Sequence, residues 1–202
     1  MLINILLKLK KMKTQTELNP KESLELIAEI IAKTKENFKY QSFYYLIWGW
    51  LVAGASLFQY ILIKFTDFEM NYLPWPILMS IGAIITIIYS IRLGRIMQTE
   101  TYLGSFIKHL WIVLGVSFIF MLFISIKLEF WPAPGVLLLA GIGTMVSGLT
   151  MKFKPLIFGG IIFAIFSIVT LYFRGPEQLV LNSIAIILGY LIPGYLLKNS
   201  KK

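Results

Sequence analysis

The 202 residues contain no cysteine, so the chain has no disulfide framework, no thiolate nucleophile and no cysteine metal site. The one histidine, His109, cannot supply the paired imidazoles of a His-x-x-x-His zinc site. Charge is scarce as well: 14% of residues, against about 25% in a soluble domain. Disordered, collagen-like and disulfide-stapled classes are thereby excluded. What is abundant is apolar surface. Hydrophobic residues make up 57% of the chain and the mean hydropathy is +0.77. So small a soluble globule could not hide this much apolar area, and the lipid bilayer is the solvent the composition implies.

Six apolar runs approach the roughly 20 residues that span a bilayer: 43–63, 75–91, 110–126, 131–151, 155–173 and 179–197. The second and third are short, at 17 residues, and need flanking Tyr, Trp and Lys to complete a crossing. A β-barrel would show alternating segments of about ten residues, and these runs do not alternate. The reading is an all-α bundle of six transmembrane helices. It occupies 41–198, after a tail at 1–18 and a cytoplasmic amphipathic helix at 19–40, and a basic tail closes the chain at 199–202.

Basic residues set the orientation. With the N-terminus in the cytoplasm, sixteen of the nineteen Lys and Arg fall inside, and only Lys64, Lys127 and Arg174 fall outside. Asp67, Glu69, Glu129 and Glu177 share the outer loops, so the outer side is slightly acidic and the whole positive excess lies on the inner side. The charge therefore reports topology, and no nucleic-acid partner is expected. Trp48, Trp50 and Trp111 sit near the inner interface and Trp75 and Trp131 near the outer one, where amphipathic rings favour the headgroup level. Localisation follows as the inner (cytoplasmic) membrane, multi-pass, with both termini cytoplasmic.

Met1–Lys11 places its basic residues after its apolar ones, the reverse of a secretory signal. It is either an interfacial anchor or an extension upstream of a start at Met12. Asn19-Pro20-Lys21-Glu22 reads as a helix start, with Asn as cap and Pro at the first position. From there Leu24, Ile27 and Ile31, joined by Ala28 and Ala32, form one apolar stripe. Such a stripe lies on a membrane or docks on a protein, and its glutamates disfavour anionic lipid. The expected partners are the bilayer itself and, through residues 19–40, a protein or a second copy. The connection from Arg92 to His109 is read as a long cytoplasmic loop with a partly helical element.

The spans offer little chemistry. No acid, base or cation lies in the middle of any run, Ser147 has no base at matching depth, and no Gly-rich phosphate loop precedes a lysine. The expectation is a chain with no catalytic residues, no cofactor and no metal. Small residues recur four apart instead: Gly49 and Ala53; Ala140, Thr144 and Gly148; Ala185, Gly189 and Pro193. That spacing puts them on one helix face, where backbones can approach closely, and marks a helix-packing seam. Gln59, Thr170 and Asn182 lie at similar depth in the outer leaflet, either lining a shallow vestibule or bonding one another across helices. Aromatic-to-cation spacings of sixteen residues (Trp48 to Lys64, Trp111 to Lys127, Phe158 to Arg174) suggest three tandem helical hairpins.

Glu22-Ser23-Leu24-Glu25-Leu26-Ile27, followed by Phe43-Tyr44-Tyr45-Leu46-Ile47-Trp48-Gly49-Trp50, resembles small bacterial multi-pass inner-membrane proteins. In these a short amphipathic cytoplasmic helix leads into a bundle of several spans. The resemblance covers residues 20–65 and implies an architecture, but no site residues. Together these features point to a non-enzymatic accessory or regulatory membrane component acting through protein contacts. The competing expectation is a small uncoupled permease or channel, drawn from the hairpin spacing and the polar outer-leaflet residues.

Overall fold

The structure, a computed structural model, describes residues 20–96 and 102–200, with side chains from Tyr40 to Arg95 and from Tyr102 to Ser200. Among the described residues all regular structure is helical. Six helices follow in order: α1 Pro20–Phe65, α2 Pro74–Ile96, α3 Tyr102–Leu128, α4 Ala133–Thr150, α5 Lys154–Thr170 and α6 Glu177–Lys198. The chain divides into two compact units, one ending at Asn37 and one beginning at Phe38. In the first the backbone is helical from Pro20, and the side chains of Leu24, Ile27 and Ile31 lie outside the described residues, as does the tail at 1–18. The second unit is the helical bundle.

Helix lengths differ from the hydropathy runs. Among the described residues five helices are long and apolar enough to cross a membrane, and the two runs expected to be short belong to helices of 23 and 27 residues. Apolarity stops at Arg92 and at His109, but the backbone hydrogen-bond ladder continues past both. Most of the expected 92–109 loop is therefore helix, leaving 97–101 outside the described residues. The short helix is instead α5, with 17 residues. At about 1.5 Å per residue it is a few ångströms short of a hydrocarbon core of about 30 Å.

Helices successive in the chain run antiparallel where they touch. Against α1 lies α2, with Trp48 of α1 donating to Thr86 and Phe43 stacked on Tyr89. The full length of α6 packs on the bundle part of α1. Tyr45 and Leu46 lie beside Gly194, Gly49 beside Leu191, Ser56 beside Asn182, and Lys64 beside Glu177. Helix α5 joins α6 to α4, and α3 packs on α4 through Trp111, Leu114 and Met121. Three successive hairpins do exist, but they are not packed equivalently. The α2 span is only 6% buried and the α6 span 56% buried, so α2 is an outer helix and α6 a central one.

Local chemistry fixes the helix ends. At the ends of α3 and α4, Glu129 and Lys152 take the left-handed conformation, both with φ of 53°. Phe130 N–H then bonds to Ser125 O at 3.1 Å and Phe153 N–H to Gly148 O at 2.9 Å. These bonds satisfy carbonyls that a helix terminus leaves open, in the manner of a Schellman turn. Glycine usually occupies that left-handed position, and here a Glu and a Lys do. In α6 the turn Ile187–Leu191 is π-helical, with the Ile192 N–H bonded to Ile187 O. Two residues on, Pro193 lacks the N–H that Gly189 O would accept in an α-helix, and the wider turn carries the chain past that gap.

Candidate functional site

Small residues bring the central helices to backbone contact. A Cβ built on Gly160 would stand 2.8 Å from Gly141 O and 2.6 Å from Met145 Cβ, across the α4–α5 contact. One on Gly148 would stand 2.7 Å from Ile157 N, and one on Gly189 would stand 2.9 Å from the Phe163 ring and 3.0 Å from Gly159 O. One on Gly49 would meet Leu191 Cδ2 at 2.7 Å. Ala53, Ala140, Thr144 and Ala185 are all buried. Every residue of the expected seam thus lies at a helix contact or in the core, though not in a single groove: Gly49 serves α1–α6, Gly148 serves α4–α5, and Gly189 serves α5–α6. Gly159 and Gly160, which carry α5 against both neighbours, were missed by the four-residue pattern. Their signal is the adjacent pair itself, which opens two faces of one helix at about 100° to each other.

The structure does not bring Gln59, Thr170 and Asn182 together. Gln59 Oε1 accepts from Trp75 Nε1 at 2.6 Å, and its Nε2 donates to Asn71 Oδ1 at 3.4 Å, tying α1 to the start of α2. Asn182 Nδ2 donates to Ser56 Oγ at 2.7 Å, buried between α6 and α1. Thr170 donates to Ser167 O at 2.9 Å on its own helix, while Ser167 Oγ donates across to Pro134 O at 2.7 Å. Nearby, Ser183 Oγ donates to Ala53 O at 3.1 Å. Apart from the Thr170 bond, which stays within α5, these bonds tie one helix to another. The tryptophans behave alike: Trp48, Trp50, Trp75 and Trp111 all donate to side-chain oxygens on neighbouring helices. Expected as headgroup anchors, they also act as tethers, because an indole N–H in an apolar medium needs an acceptor.

A second group of polar atoms meets where α1, α3, α4 and α6 converge. The rings of Tyr45 and Tyr190 stand 5.3 Å apart, Trp111 lies 6.2 Å from Tyr45 and 6.0 Å from Tyr190, and Phe163 of α5 lies 5.3 Å from Tyr190. Trp111 Nε1 donates to Ser147 Oγ at 3.2 Å. The Tyr45 hydroxyl is fully buried beside Ser147 and Trp111, but has no hydrogen-bond partner. Near the other end of the bundle, Gln178 Oε1 and Asn182 Oδ1 are likewise buried and unpaired, one turn apart on α6. At that end Lys64 Nζ meets Glu177 Oε1 at 3.0 Å, both side chains nearly half exposed. An exposed pair of this kind adds little to stability and serves mainly to align α1 with α6.

Among the described residues no three His, Asp or Glu converge where they could hold a metal. His109 is exposed, its Nδ1 donating to Ser105 O at 2.7 Å one turn back. Ser147 carries the Trp111 indole rather than a base. Searches of protein-family models, of curated proteins and of solved structures return no match for this chain.

Proposed function

We propose that this multi-pass membrane protein is an accessory or regulatory component that acts through protein contacts, with its bundle as a packed scaffold. The observation that carries the reading is the closed core. Helices α4, α5 and α6 touch backbone to backbone through Gly141, Gly160, Gly159 and Gly189. Where α1 and α3 meet that core, the rings of Tyr45, Trp111, Tyr190 and Phe163 fill the space. A bundle packed in this way holds its ends in fixed positions. The distribution of basic residues supports an orientation with both ends in the cytoplasm, at the inner membrane of a bacterium, in keeping with the proteins that residues 20–65 resemble. The contact element of this reading is residues 19–40, whose stripe of Leu24, Ile27 and Ile31 is spaced to dock.

Two measurements test the reading. Proteoliposomes should pass solutes no faster than protein-free vesicles, and solute flux dependent on the protein would refute it. Replacing Ile27 and Ile31 together by Glu places two charges on the stripe, and burying an unpaired charge costs several kcal/mol. The double variant should reach normal membrane abundance and lose its partner or oligomer after mild detergent extraction. Retention of every partner would overturn the docking role. The second reading, a small uncoupled permease, is favoured by one observation: Tyr45 Oη, Gln178 Oε1 and Asn182 Oδ1 are unpaired polar atoms inside an apolar bundle.

A further inference from the structure

Between α3 and α4 runs a groove of about 310 Å³, with Ser117, Met121 and Ile124 on one wall and Gly135 and Leu138 on the other. Ile124 and Leu138 are exposed along it, so the groove opens sideways toward the membrane. Its one hydroxyl, Ser117 Oγ, donates to Val113 O on its own helix, which leaves the walls apolar. Gly135 gives the groove its depth. Met121 lies over it, with its sulfur 2.6 Å from where a Cβ at 135 would stand. A methionine side chain is unbranched, with three rotatable bonds, and moves aside easily. The chemistry changes at one end. Spacings of four and three residues keep Phe120, Ile124 and Lys127 on one face of α3, so that wall ends in a cation in the last turn. The α3–α4 connection closes the same end and carries Glu129 and Trp131. Among the described residues, Lys127 and Glu129 are exposed and form no ion pair, with each other or elsewhere. Trp131 is half-buried, and of the five tryptophans it alone donates no hydrogen bond within the chain. An indole at a membrane interface takes its acceptor from the headgroup layer when the protein offers none.

We infer that the α3–α4 groove seats one acyl chain of a zwitterionic phospholipid, whose headgroup meets Lys127, Glu129 and Trp131. The dimensions fit a single leaflet. Ten residues separate Ser117 from Lys127, about 15 Å of helix, which is half of a hydrocarbon core of about 30 Å. The charges fit the headgroup. A phosphate accepts from Lys127 Nζ and Trp131 Nε1, and an ammonium donates to the Glu129 carboxylate. A headgroup of net negative charge would satisfy the first two groups and be repelled by the third. The site needs only that the bundle spans a membrane, so it is the same for a scaffold and a permease, and for either orientation.

The test is native mass spectrometry of the full chain in mild detergent, with phosphatidylethanolamine or phosphatidylglycerol of the same acyl chains added. Phosphatidylethanolamine should be retained and bind several-fold more tightly than phosphatidylglycerol. Phosphoethanolamine, the headgroup without chains, should not displace it. Lys127→Gln removes the cation and Leu138→Trp fills the groove, and each should weaken binding several-fold. Both positions are exposed, so both variants should keep the wild-type melting midpoint in lipid-free detergent. Ile84→Trp, on the exposed face of α2, should bind lipid as wild type does. Equal binding by all three variants would show lipid adsorbed anywhere on the belt and overturn the inference. A preference for phosphatidylglycerol, or displacement by phosphoethanolamine, would overturn it as well. So would a wild-type dimer that Leu138→Trp splits, since a second copy would then cover the groove.

Discussion

Replacing Gly160 by Ala adds a single methyl group at the tightest contact between α4 and α5. That methyl would lie 2.6 Å from Met145 Cβ, 2.8 Å from Gly141 O and 2.8 Å from Met145 N. Carbon atoms pack at about 3.5–4.0 Å, so the helices must separate by about 1 Å. Two of the three obstructing atoms belong to the backbone and cannot turn aside. Overpacking of this kind costs typically about 1–3 kcal/mol, while Ala improves helix propensity by about 1 kcal/mol over Gly. The net effect is a loss of up to about 2 kcal/mol. Gly115 on α3 supplies the control, since its Cβ would meet nothing within 4 Å. There only the propensity gain of about 0.5–1 kcal/mol remains. For a chain of this size 1 kcal/mol moves a melting midpoint by about 2–4 °C. In detergent, Gly160→Ala should therefore melt below wild type, by up to about 8 °C, and Gly115→Ala slightly above it. A Gly160→Ala protein as stable as the Gly115→Ala protein would show that α4 and α5 are not in backbone contact.

Lys152→Gly should raise the melting midpoint, because the φ of 53° that strains Lys152 suits glycine, a gain of about 1 kcal/mol; a lowered midpoint would place the end of α4 in another conformation. Asn182→Ala and Ser56→Ala should each lower stability, with a double-mutant coupling of about 0.6–2 kcal/mol for their shared bond. Additive effects would mean that the bond is not made. Leu137→Ala should cost about 2–5 kcal/mol, since Leu137 is fully buried. Leu138→Ile, at a residue 48% exposed, should be tolerated, and equal losses at both positions would invert the assigned faces of α4.

Six helices were legible because runs such as 131–151 and 179–197 have no reading in water. The finer errors have definite causes. Hydropathy ended the second run at Ile91 and began the third at Leu110, yet the flanking Arg92 and Lys108 belong to helix. Charged side chains can sit at a membrane interface without breaking a backbone ladder, so apolarity and helix length part company there. The same criterion extended the fifth run to Phe173, beyond the end of α5 at Thr170. Spacing identified Gly148 and Gly189 as small residues on helix faces, but could not say which helix each would meet. Gln59 and Asn182 were grouped by depth alone; Gln59 stands on α1 and bonds Trp75 of α2, whereas Asn182 stands on α6 and bonds Ser56 of α1. The left-handed Glu129 and Lys152 carry no sequence signal, because glycine usually marks that conformation. Tyr45 gave no signal either. It looks like one aromatic among several in Phe43-Tyr44-Tyr45, and only the packing of three helices around it distinguishes it.

The bundle depends on six crossings, and α5, the shortest of the six helices, decides that count. If α5 failed to cross, residue 172 would lie inside and the C-terminus outside. The cysteine-free chain permits a direct measurement with single-cysteine variants in intact cells and an impermeant thiol reagent. Tyr172 and Ser200 are both exposed, which makes them suitable positions. Tyr172→Cys should label from outside, in line with the contact of Lys64 and Glu177 that sets the start of α6 beside the end of α1. Ser200→Cys should label only after the cells are permeabilised. Labelling of residue 200 in intact cells, with residue 172 protected, would contradict the six-span bundle and the scaffold built on it.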